Sequence, residues 1–179
     1  LCDWYLELTK PIFGADDEAA KLETRNTLAF VLEAALRAIH PVMPFITEEL
    51  WQRLPKPAGS PASVALAKLP DGDVAPRDAE VERQMELVQA GISAARTIRS
   101  EHEVHPGAAL AIALRSDDEA IRALLEAQRI GIETLVKTAS CAIGPGGGER
   151  PRGAAVSVAA GVEVLVMLRG VVKAADEIE

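Results

Sequence analysis

His40-Pro41-Val42-Met43-Pro44-Phe45-Ile46-Thr47-Glu48-Glu49-Leu50-Trp51 decides how the first part of the chain folds. Proline lacks an N–H and pushes the residue before it toward extended geometry, so His40-Pro41 ends the preceding helix and Pro44 keeps the connection irregular. Thr47 then reads as an N-cap, with Glu48 and Glu49 in a first turn where the helix dipole favours negative charge. That helix stops by Pro55. On the N-terminal side, Asp16 to Ile39 carries Leu28, Leu32 and Leu36 at four-residue spacing, interleaved with Val31, Ala35 and Ile39, while Lys21, Glu23, Arg25 and Glu33 decorate the rest. The pattern predicts an amphipathic helix with one broad buried face. Leu1 to Lys10 puts Leu1, Trp4 and Leu8 on one stripe and is closed by Pro11. Residues 1–55 thus read as a small helical bundle.

Beyond it, residues 56–77 concentrate proline with Gly, Ser and Ala (Pro57, Pro61, Pro70 and Pro76 follow Pro55), the composition of a linker. In the next stretch Val81, Met85, Val88, Ile92 and Ala95 step by three or four and predict a long helix to about Ser100. Ala109 to Leu114 has the length of a strand. Ser116 and Glu119 are spaced as a capping box opening a helix over about 117–137. Ala155–Ala159 and Val162–Leu168 read as strands joined by a hairpin turn at Ala160-Gly161. The fold class is mainly α: a helical bundle followed by a small α+β module at 78–170 with a short antiparallel sheet packed on two helices. Residues 171–179 read as the start of a further helix.

Net charge is −8 and is shared by both halves, which argues against a generic nucleic-acid binder and leaves only a local basic patch for any RNA contact. The two cysteines, Cys2 and Cys141, form no CxxC, and His40, His102 and His105 complete no metal-ligand spacing, so no metal or other cofactor is expected. There is no apolar run of about 18 residues, hence no membrane partner is expected. A cytoplasmic, monomeric fragment of a longer protein is the expectation, Leu1 standing where an initiator Met would be.

Several motifs invite chemistry and have simpler readings. Gly144-Pro145-Gly146-Gly147-Gly148-Glu149-Arg150-Pro151-Arg152-Gly153 lacks the Lys and the Ser or Thr of a phosphate loop, and a strand follows it, so it reads as a flexible loop. Cys141 with His102 or His105 could be a thiol and its base, but its neighbours Ala139, Ala142 and Ile143 suit a small buried hydrophobe. Glu48 and Glu49 point about 100° apart on a helix and cannot converge on one atom. The catalytic set is therefore empty. The candidate RNA-binding residues are Lys10 and Phe13 at a helix exit, Arg25, and Arg96 with Arg99 near the end of the long helix, since an unstacked base asks for an aromatic face and a phosphate for a cation.

Three strings then carry a resemblance: Cys2-Asp3-Trp4-Tyr5-Leu6-Glu7-Leu8-Thr9-Lys10-Pro11, Glu23-Thr24-Arg25-Asn26-Thr27-Leu28, and the stretch from His40 to Trp51. Together they resemble the anticodon-binding helical domain at the C-terminal end of class I aminoacyl-tRNA synthetases, the first string favouring the valyl branch over the isoleucyl and leucyl ones. The likeness is strong over residues 1–55 and weaker through 95–106 and the hairpin. It implies tRNA(Val) as partner and a catalytic domain upstream in the same chain, where ATP and Mg would act. The family's catalytic signatures, a HIGH-type turn and a KMSKS-type loop, are absent from this sequence, so it implies binding without an active site. In the family a coiled-coil arm follows, of which 171–179 would be the first turns. A helical protein-interaction module that has lost RNA is the rival reading, and a hydrolase built on Cys141 or a carboxylate pair is a second.

Overall fold

The computed structural model describes residues 4–72 and 77–168, and the expected terminal helix at 171–179 lies outside them. The chain divides into two compact units, one made of residues up to Pro11 together with those from Asp78 onward, the other of Ile12–Arg77. The first helix, α1 (Tyr5–Gly14), thus spans the division, whereas residues 1–55 were expected to form one bundle. Leu8 of α1 and Trp4 just before it pack against the core of the α/β unit. Pro11 sits inside α1 instead of closing it: one N–H is lost, and helical spacing continues to Gly14.

The α/β unit contains α4 (Ala79–Glu101), β1 (Leu110–Arg115), α5 (Glu119–Ala127), α6 (Arg129–Val136), β2 (Thr138–Gly144), β3 (Ala154–Ala159) and β4 (Val162–Met167). The strands lie in the order β2-β1-β4-β3. Side chains alternate across a strand, so Leu110, Ile112 and Leu114 of β1 and Val162, Val164 and Val166 of β4 enter one core. Val88, Ile92 and Ala95 of α4 and Ile132 and Val136 of α6 complete it. α4 matches its expected stripe except at the N-terminal end, where Val81 is exposed.

The sheet is mixed rather than purely antiparallel: β2 pairs parallel with β1, and the other two pairings are antiparallel. Its sequence, Thr-Ala-Ser-Cys-Ala-Ile-Gly, is poor in the branched and aromatic residues that announce a strand, and pairing with β1 decides its state. A parallel neighbour needs a long crossover, which α5 and α6 supply. The single helix expected over 117–137 breaks at Gln128 (φ −97°, ψ 7°). Asp118, not Ser116, caps α5, its Oδ1 accepting from the amides of Ala120 and Ile121. Ser116 instead donates to the Gly161 carbonyl. The hairpin turn falls at Ala160-Gly161 as read, both residues at positive φ (51° and 78°), the requirement of a tight two-residue turn.

The helical unit holds α2 (Glu18–Ile39), α3 (Pro44–Arg53) and a single 3-10 turn at Val64–Leu66. Asp17 caps α2 by accepting from the Ala20 amide at 3.0 Å. α3 starts four residues earlier than expected, with Met43 rather than Thr47 at the N-cap, because Pro44 occupies the first helical turn, where no amide is needed. Thr47 is consequently interior and buried, its hydroxyl donating to the Met43 carbonyl at 2.6 Å and lying 2.7 Å from His40 Nδ1. The core is Leu36, Trp51 and Val64, with Leu54 against it. Of the expected leucine stripe only Leu36 is buried, while Leu32 is 38% exposed. The proline-rich stretch read as a linker contributes Val64 to this core and so is part of the unit.

Candidate nucleic-acid interface

Lys10 projects from α1 with its side chain 63% exposed, and its Nζ lies 2.6 Å from both carboxylate oxygens of Glu7, three residues earlier on the same helix. An exposed pair of this kind contributes roughly 0–1 kcal/mol, so the ammonium can exchange Glu7 for a phosphate at small cost. Glu7, which is not among the candidate residues, is thus the acidic partner of Lys10. Helical i,i+3 spacing was the signal that would have found it.

Phe13 and Arg25 meet in the helical unit, the guanidinium carbon 5.9 Å from the ring centroid. Phe13 is 37% exposed, so its ring can offer a stacking face. Arg96 and Arg99 are placed differently. Arg99 is 8% exposed, with Nη2 donating to the carbonyls of Ala108 (2.7 Å) and His105 (3.4 Å). It closes the loop after α4 and presents no cation to solvent. Arg96 donates through Nε and Nη2 to the Leu135 carbonyl at 3.2 and 3.0 Å, and its guanidinium lies over the Trp4 ring. The structure therefore separates the five candidates into Lys10, the pair Phe13–Arg25, and two arginines spent on backbone.

The helical unit also holds a groove that the sequence did not announce, lined by Phe30, Glu33, Arg37, Trp51, Pro57 and Leu66, with a volume of about 660 Å³. Its polar groups serve one another. Glu33 accepts from Trp51 Nε1 at 3.0 Å and from Arg37 Nη2 at 2.9 Å, and Arg37 Nη1 donates to the Lys68 carbonyl at 2.9 Å. Lys56 Nζ lies 3.9 Å from the Trp51 ring centroid. The groove thus offers mainly apolar walls.

The catalytic rivals lose their groups. Burial pushes the Cys141 thiol up to about 11, so it is neither ionised nor activated near neutrality. Glu48 accepts from Ser63 Oγ (2.7 Å) and the Val64 amide (3.0 Å), and hydrogen bonds from Gln52 and then Ser63 hold its carboxyl below the usual range. It caps the 3-10 turn, while Glu49 pairs with Arg53 at 2.5 Å. The glycine-rich loop is tied down, since Arg115 donates to the carbonyls of Gly148 and Glu149, and Arg115 and Arg150 both approach Glu163. Among the described residues no His/Cys/Asp/Glu group could hold a metal ion, and no helix is long and apolar enough to cross a membrane.

An exposed aromatic–arginine pair in the helical unit and a solvent-facing lysine paired only with Glu7 stand out among the described residues, and the class of protein that carries them is given by comparison. Residues 1–114 match the family described as the anticodon-binding domain of tRNA ligase, and the chain belongs to that family. Over its whole length it is similar to the valine–tRNA ligases of Geobacillus stearothermophilus and Geobacillus kaustophilus, each 36% identical over 180 residues. It is also similar to that of Geobacter sulfurreducens, 39% identical over 184 residues and 98% of this chain. The chain spans about one fifth of the length of these curated relatives, 20% in each case.

Proposed function

We propose that the chain is the anticodon-recognition part of a cytoplasmic valine–tRNA ligase, binding tRNA(Val) so that its acceptor end reaches a catalytic domain elsewhere in the same polypeptide. That domain would take ATP and Mg for aminoacylation, since this sequence holds neither its signatures nor an activated side chain. The observation that carries the reading is full-length similarity to valine–tRNA ligases, combined with Lys10 standing exposed inside the family-like string. Lys10 supplies charge to a backbone phosphate, and Phe13, backed by Arg25, supplies a face for an unstacked base. Each is tested on its own. Lys10→Ala should weaken tRNA(Val) binding at low ionic strength and flatten the slope of log affinity against log salt by about 0.7, the single-strand value per phosphate. Phe13→Ala should weaken binding with the slope intact. If Lys10→Ala and Phe13→Ala both bind tRNA(Val) as the unsubstituted chain does, the assignment of these residues is wrong.

A second reading has its own support in the exposed apolar side chains of the helical unit, with Phe45 90% and Val42 82% accessible. Such a face fits coverage by protein rather than RNA, and further parts of a larger ligase would provide it. A chain that binds no tRNA(Val) at low salt but captures a protein through Phe45 would favour this alternative.

A further inference from the structure

Lys10 owes its position to α1, and α1 is held to the α/β unit by residues that are not themselves candidates for RNA contact. Trp4 and Leu8 lie against the buried core of that unit. Opposite Leu8 stands Gly131 of α6, where an added Cβ would come 2.7 Å from Leu8 Cδ2, so the glycine admits this close approach. Arg96 of α4 completes the junction. The Leu135 carbonyl it grips is among the last four of α6, which no amide further along the helix can satisfy, and a cation at that end is favoured by the helix dipole. Its guanidinium carbon lies 5.7 Å from the centroid of the Trp4 ring. A planar guanidinium can donate in its plane while stacking through its face, and one side chain thereby joins α4, α6 and α1.

We propose that Arg96 is a positioning residue for RNA recognition: the Arg96–Trp4–Leu135 junction fixes α1 on the α/β unit and so sets where Lys10 presents its charge, without Arg96 touching RNA. This rests on the tRNA-binding role of Lys10 given above, but the junction can be measured without RNA. An ammonium offers neither the planar fork nor the stacking face, so lysine does not replace Arg96 even though it keeps the charge.

The test uses the whole chain with Arg96→Gln, Arg96→Lys and Lys10→Ala, read by amide hydrogen exchange and by binding of a tRNA(Val) transcript across salt concentrations. Both Arg96 variants should speed exchange over residues 5–11 while β1 and β4 stay protected. Both should also lose roughly tenfold in affinity, with the salt slope unchanged. Leu8→Ala loosens α1 without altering charge and should show the same two effects. Lys10→Ala should leave exchange as it is and flatten the slope. If Arg96→Lys retains the original affinity while Arg96→Gln flattens the slope, Arg96 is a phosphate contact and the proposal is overturned. Unchanged exchange of α1 in both Arg96 variants overturns it as well. Faster exchange of α1 with no effect of Lys10→Ala on binding would bring down the RNA reading of Lys10, and the positioning role with it, while leaving the junction standing.

Discussion

The two units solve the burial problem differently. In the α/β unit a sheet and its helices enclose a contiguous core of aliphatic side chains drawn from α4, α5, α6 and all four strands or their flanks. In the helical unit the core reduces to Leu36, Trp51 and Val64, and much of the apolar surface faces solvent, including Leu22, Phe30, Ile39 and Phe45. The first unit closes on itself, whereas in the second a set of polar ties runs beside a small core. Glu33 links Trp51 to Arg37, Arg37 holds the Lys68 carbonyl, and Glu48 caps the turn that carries Val64. An amphipathic pattern therefore tells which residues prefer burial, but not that the partner surface lies within the same compact unit.

The contrast can be broken most directly by truncation. Ile92→Ala, at a fully enclosed site of α4, should cost about 2–5 kcal/mol in denaturant unfolding. Leu32→Ala, which the sequence pattern places on a buried face but the structure leaves 38% exposed, should cost under about 1 kcal/mol. Comparable losses at the two positions would mean that the helical unit encloses a core as the α/β unit does.

A smaller effect concerns Cys141, which separates the enclosed unit from an open one by chemistry rather than by stability alone. Because burial raises the folded thiol toward about 11, folding keeps it protonated, so its contribution to stability is full below the unfolded value and declines as pH rises through 9 toward 11. With Cys2→Ser to silence the other thiol, alkylation of Cys141 at pH 8 should be slow until denaturant is added. Replacing Cys141 by Ala should remove part of the alkaline fall in melting temperature. Rapid alkylation of the folded chain would show this unit to be less closed than its packing implies.

Smallest of all should be Phe45→Ser. At 90% exposure the ring contributes little to folding, so stability should change by no more than about 0.5 kcal/mol while self-association at high concentration declines. A large loss of stability would place Phe45 in a core that the described residues do not form.

Local chemistry made much of this protein legible from its sequence. The mainly helical beginning, the long α4, the hairpin at Ala160-Gly161, the small α+β class and the likeness to anticodon-binding domains all followed from spacing, turn residues and three strings. These features are set within a few neighbouring residues, where periodicity and backbone preference act. Tertiary structure alone decided the rest. β2 is a strand because β1 offers it hydrogen bonds, Pro44 begins a helix where its missing amide costs nothing, and Arg96 and Arg99 turn to carbonyls their own segments cannot show. Lys10 and Phe13 were candidates by residue type alone, whereas their neighbours, Glu7 against Lys10 and Arg25 against Phe13, and the packing of Trp4 and Leu8 appear only in three dimensions. A side chain's partners are chosen in space, across segments that sequence periodicity treats as independent.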